Sequence, residues 1–239
     1  MNGLIGLSAT LALMLLAGGV IGLLDRRNFA PRWLLVAALL VAVNDALLTR
    51  VYGTLPDLMP AGSSWNWQGK LLALAATLAI AALPAFGWRR VGLTPEQARG
   101  SLRAAVPVVA LYCAFFLALA LAFPNDRPTA EDVAFQLTMP GLEEETFYRG
   151  LLLFALYRAF AGRVHLLGVD WGWGAVLSCV LFGLTHAFGF ADGQFSFDPL
   201  VMTLTALPSF IAVWVALRTG SVLLPVVMHN FGNLVMMAI

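Results

Sequence analysis

Charge is scarce in this chain: 14 basic and 13 acidic residues among 239, or 11%, against 60% hydrophobic residues. A soluble domain carries roughly 25% charged residues, so the scarcity excludes a water-solvated globule and leaves lipid as the solvent. The net charge of +1 lacks the basic excess that a nucleic-acid partner would demand. Cysteine is almost absent. Cys113 and Cys179 both lie in apolar runs, which excludes a disulfide framework and a cysteine zinc site. The opening MNGLIGLSAT has no basic region of the kind a cleavable signal peptide carries, so the first apolar run is expected to stay as a span. Internal repeats and low-complexity tracts are missing as well.

What remains is a series of apolar runs near the length of about 20 residues that a spanning helix needs. Eight are expected, over 3–24, 33–49, 71–88, 103–123, 142–161, 171–189, 198–217 and 221–239. The second is short and holds Asn44 and Asp45; a structural hydrogen bond is the role expected for Asp45. The polar stretches 91–102 and 125–139 are expected as interfacial helices or loops. The fold class is therefore all-α, a polytopic transmembrane helical bundle of about eight spans in a single domain, 1–239. The basic residues are lopsided. Arg26, Arg27, Arg32, Arg89, Arg90, Arg99, Arg103, Arg158, Arg163 and Arg218 fall on one side of such a bundle, and Arg50, Lys70 and Arg127 on the other. By the positive-inside rule both termini lie outside the cytoplasm. Trp33, Trp65, Trp67, Trp88, Trp171 and Trp173 sit near span ends, as an interfacial belt would.

Three polar constellations interrupt the apolar runs. Gly141-Leu-Glu-Glu-Glu-Thr-Phe-Tyr-Arg-Gly150 heads the fifth span, where one charge at a helix centre costs roughly 2.5–3.5 kcal/mol. Glu145 and Arg149 are four apart and share a helix face. Glu143 reads equally well as an ordinary acid at a helix start after Pro140. Phe182-Gly-Leu-Thr-His186 closes the sixth span, and His229-Asn-Phe-Gly-Asn233 lies in the last, with His229 and Asn233 on one face and Asn230 on another. Taken singly, such residues are commonly interhelical hydrogen-bonding groups. Depth argues for more. At 1.5 Å per residue, His229 lies about 12 Å and Asn233 about 18 Å in from Ser221, and His186 about 22 Å in from Trp171. Glu144 begins a helix running the opposite way, so all three groups fall in the same half of the bilayer.

Glu-Glu-x-x-x-Arg, Phe-x-x-x-His and His-x-x-x-Asn, in that order on separate helices, resemble the CPBP intramembrane proteases. That family comprises CAAX proteases and bacteriocin-processing enzymes and is also called Abi. The resemblance rests on Glu144, Glu145, Arg149, Phe182, His186, His229 and Asn233 and covers about the last 100 residues, with the core placed in 103–239. It implies an eight-helix core and a glutamate-dependent endopeptidase. It also implies a lipid-modified or membrane-embedded protein substrate.

The chemistry is legible without it. Peptide hydrolysis needs a water, a base and donors for the oxyanion. Glu144 is the expected base, and His186 holds the same water or shuttles its proton. His229 and Asn233 are the expected oxyanion donors, a role worth about 2.7–4 kcal/mol per donor. Glu145 and Arg149 support them. A zinc version competes, since one glutamate and two histidines match a catalytic zinc set. The metal-free form is preferred because His-Glu-x-x-His spacing is absent and no carboxylate is evident behind the histidines. A non-catalytic scaffold or immunity protein is a second class, and a proton or ion transporter a third. Against transport stands the lack of repeat symmetry. The arginine asymmetry puts the motif half outside, as for a bacterial inner-membrane enzyme that removes a C-terminal sorting signal from the periplasmic side.

Overall fold

A computed structural model describes residues 2–56, 59, 63–125 and 127–239. The helices are α1 (Asn2–Leu24), α2 (Pro31–Ala46), α3 (Trp67–Ala81), α4 (Leu102–Ala122), α5 (Ala130–Gln136), α6 (Met139–Glu145), α7 (Leu153–Ala159), α8 (Trp173–Ala187), α9 (Pro199–Thr219) and α10 (Leu223–Ala238). π-helical turns extend α2 through Leu47–Val51 and join α6 to α7 through Thr146–Leu152. The fold is helical, as expected, and each expected span has its helix. Among the described residues four stretches, Asn2–Leu24, Pro31–Thr54, Leu102–Ala122 and Pro199–Thr219, are long and apolar enough to cross a membrane. Their exposed side chains include Leu16, Leu23, Leu24, Leu111 and Leu121, the surface that hydrocarbon solvates. The helices α3, α8 and α10 have 15, 15 and 16 residues.

Two boundaries differ from expectation. The third span stops at Ala81 rather than 88, because Pro84 restricts the residue before it and Gly87 takes φ +81° in the turns that follow. The sixth begins at Trp173, since Val169–Trp171 is a strand. Two antiparallel hairpins stand where only helix or loop was expected: β1 (Val164–Leu166) with β2 (Val169–Trp171), and β3 (Phe188–Ala191) with β4 (Gln194–Phe197). In the second, Asp192 and Gly193 have φ of 52° and 77°, the paired positive values of a two-residue hairpin turn.

The described residues fall into two compact units. The first comprises 1–45 and 152–214. In it α8 packs on α7 so closely that a Cβ on Gly174 would lie 2.8 Å from the Leu156 carbonyl carbon. Phe29 stacks on Phe160 at 5.4 Å, and Trp214 Nε1 donates to the Leu167 carbonyl at 3.0 Å. The second unit comprises 46–151 and 215–239, and here α6 lies against α3, α5 and α10 while α10 also packs along α4. Gly141, Glu143, Glu145, Phe147, Arg149 and Leu151 are all buried. The segment with the most charge per turn is thus among the least exposed.

Candidate active site

The site in the second unit is built from α6 outward. Pro140 sits in the first turn of α6, and the Gly141 N–H donates to Asn230 Oδ1 of α10 at 2.7 Å. Asn230 Nδ2 donates back to the Leu137 and Thr138 carbonyls at 2.9 and 3.2 Å. One amide therefore satisfies backbone groups at a helix start that the apolar surroundings would leave unpaired. A Cβ at Gly141 would meet Asn230 Oδ1 at 2.5 Å and the Val226 carbonyl at 2.7 Å, so this approach needs glycine. The role of Asn230, for which sequence reasoning had none, is to clamp α6 to α10.

That clamp sets the register of the acidic residues. Glu145 Oε2 lies 3.0 Å from Arg149 Nε, the i,i+4 pair expected from sequence. Glu145 Oε1 accepts from His229 Nδ1 at 2.7 Å. The carboxylate behind His229, which sequence spacing did not reveal, is thus Glu145. His229 Nε2 lies 3.7 Å from Glu144 Oε2, beyond direct hydrogen-bond range. Glu144 Oε1 accepts from Lys70 Nζ at 2.6 Å, and the same ammonium donates to Glu143 Oε2 at 2.7 Å. Glu143 is consequently no ordinary helix-start acid: it is fully buried and held by a cation. The side chains of Glu143 and Glu145 are 0% and 1% exposed, whereas Glu144 is 15% and His229 14% exposed. Of three consecutive carboxylates, solvent reaches the middle one.

A carboxylate can only accept, so the proton on His229 Nδ1 points at Glu145. Donation from Nε2 as well would require a proton on both ring nitrogens. Asn233, one turn further along α10, is half-buried and enters none of these contacts among the described residues. Phe182 and His186 belong to the first unit. There Phe182 is buried and His186 exposed at the end of α8; His186 Nδ1 donates to the Phe182 carbonyl at 2.7 Å, and the rings lie 4.6 Å apart. Among the described residues no group of three or more His, Cys, Asp or Glu side chains is placed to hold a metal ion.

Residues 128–235 match the family of type II CAAX prenyl endopeptidase Rce1-like proteins. This part of the chain is similar to the CAAX proteases. No curated protein and no solved structure matches the chain. The matched region contains all seven motif residues, from Glu144 to Asn233, and leaves out Lys70. The span-forming helices and this match together support an integral membrane protein. Lys70 was assigned from sequence to a membrane-flanking segment as a topology marker; it sits instead in the first turn of α3, bound to two glutamates. One signal was available: Lys70 is the sole lysine among the chain's 14 basic residues.

Proposed function

We propose that the chain is an intramembrane, glutamate-dependent endopeptidase acting on a membrane-associated polypeptide, lipidated or transmembrane-anchored. Glu144 takes a proton from water as the oxygen attacks the scissile carbonyl carbon. His229 Nε2–H and the Asn233 amide donate to the resulting oxyanion, and the proton passes to the leaving amine as the C–N bond breaks. His186, whose Nδ1 is committed to the Phe182 carbonyl, uses Nε2 to hold the water or shuttle its proton. Glu145, gripped by Arg149, holds the Nδ1–H and hence the ring orientation of His229, so that a protonated ring presents Nε2–H to the oxyanion. The observation that carries this reading is the solvent-reached Glu144 set beside His229 between two sealed carboxylates. A Glu144→Gln variant, assayed on a farnesylated CAAX-terminated reporter and on a transmembrane-anchored one, should lose about 10²–10⁴-fold in rate. Undiminished cleavage by that variant removes the reading.

A zinc-dependent form of the same protease draws support from Glu145 behind His229, since carboxylates orient metal-binding histidines in this way. Against it, Lys70 already supplies the cation at Glu143 and Glu144. Stoichiometric zinc in purified, active protein would reverse the preference. With Lys70 engaged by the glutamates, the sparse side of the topology count keeps only Arg50 and Arg127, which strengthens the outside-facing orientation. That orientation suits removal of a C-terminal sorting signal from the periplasmic side of a bacterial inner membrane. A reporter fused after Ile239 that proves cytoplasmic would sink that part.

A further inference from the structure

The ammonium of Lys70 has no part in the hydrolytic scheme above, yet its placement is closely specified. Asn66 caps α3 by accepting from the Gly69 N–H at 2.9 Å, and its amide donates to the Leu48 carbonyl at 2.7 Å. A Cβ on Gly69 would collide with the Asn66 side chain at 2.5 Å. Cap, glycine and the next residue, Lys70, thus form one fitted turn aimed at α6. Glu143 and Glu144 are adjacent, so they leave the helix about 100° apart. A single cation touching both must lie between them. A compact ammonium on a flexible stem suits that position better than a planar guanidinium fork, and this is the one place where the chain uses lysine rather than arginine.

We propose that Lys70 is a positioning residue for the hydrolytic base. It fixes Oε1 of Glu144 and balances that carboxylate against the sealed Glu143, while Oε2 stays directed at His229. The proposal rests on the assignment of Glu144 as base. Within the second unit, the charged and titratable groups around Glu144 include Lys70 from α3, His229 from α10, and Glu143 and Glu145 on its own helix. Tyr112 of α4 faces Glu145 and Arg149. Lys70 is a cation in direct contact with Glu144, at 2.6 Å.

The alternative is that Lys70 merely neutralises Glu143. Lys70→Met alone strands two carboxylates and invites misfolding. The deciding variant is therefore Lys70→Met/Glu143→Gln, which keeps the net charge of the trio unchanged. In liposomes, the carboxylate infrared band that Glu144→Gln removes identifies Glu144, and it can be followed against pH in each variant without any substrate. Lys70→Arg should keep the wild-type titration. The double variant should lose the carboxylate band about 1–3 pH units above Glu143→Gln alone, the size of a lost neighbouring cation, with the acid limb of cleavage moving alike. A double variant that titrates like Glu143→Gln overturns the proposal and leaves Lys70 as the counter-ion of Glu143. If Glu144→Gln still cleaves at full rate, the assignment of the base falls, while the infrared titration still reads the Lys70–Glu144 coupling.

Discussion

The segment around the start of α3 meets the segment 130–145 at two places, and they are held together differently. At the outer one, Glu131 accepts from Ser63 Oγ, the Ser64 N–H and Trp67 Nε1, and Asp132 accepts from Trp65 Nε1 at 2.7 Å. Every donor there is neutral, and Trp65 and Trp67 pack on Phe135 at 4.7 and 5.0 Å. At the inner one, 3 residues beyond Trp67 and 11 beyond Asp132, the donor is an ammonium and the acceptors are Glu143 and Glu144. Water still reaches Glu131 and Asp132 and carries part of their charge. It does not reach Glu143, so the protein must supply the opposite charge itself. Depth, more than residue type, decides what kind of partner a carboxylate is given.

The difference can be broken from the inside first. Arg149→Met leaves Glu145 buried with His229 as its remaining partner, and loss of one member of a buried pair costs about 3–5 kcal/mol. Thermal unfolding in detergent should show that loss, and unfolding at the wild-type temperature would mean the inner cluster tolerates an uncompensated charge. Next comes Asn230→Ala, which frees the Gly141 N–H and two carbonyls at a buried helix start. A cost of about 1–3 kcal/mol is expected, with a fall in cleavage because α6 loses its register against His229. Full activity in a destabilised variant would separate the clamp from the site.

At the outer contact, Trp65→Phe keeps the ring over Phe135 but removes the donor to Asp132. A net hydrogen bond is worth about 0.5–1.5 kcal/mol, and urea titration should report a loss at or below that range. The smallest effect is acid sensitivity. Hydrogen bonds from Ser63 and Trp65 hold Glu131 and Asp132 below the ordinary carboxylate range. Stabilisation from a lowered folded-state value is complete above the unfolded one, so it is full above about pH 4.5 and fades as pH falls through the lower folded values. Emission from Trp65 and Trp67 should change in that acid window and be flattened in a Glu131→Gln/Asp132→Asn variant.

Much of this was readable from one-dimensional information. Apolar run length found the helices, and i,i+4 spacing found Glu145 with Arg149, because both are local properties of an α-helix. What escaped was set by packing between distant segments. Lys70 and Glu144 are 74 positions apart and Glu145 and His229 are 84 apart, and no periodicity encodes which face meets which. The hairpins escaped for another reason: Asp192-Gly193 is a strong turn signal, but its strands have 4 residues each and fill the short gap between the spans expected over 171–189 and 198–217, where a plain connecting loop was expected. Asn230 escaped because it faces away from His229, and a residue off the reactive face draws no attention when only chemistry is sought.

Asn230 and His229 are consecutive, and that adjacency has a mechanical consequence. A small slide of α10 along its axis carries the imidazole and the amide by the same amount, and the amide tows the front of α6 through Gly141. Displacement is thereby common to Glu144 and His229 and largely cancels in their separation. The helix behaves as a shared datum, so that this spacing is protected from thermal drift by linkage, without demanding that either helix be rigid in the membrane.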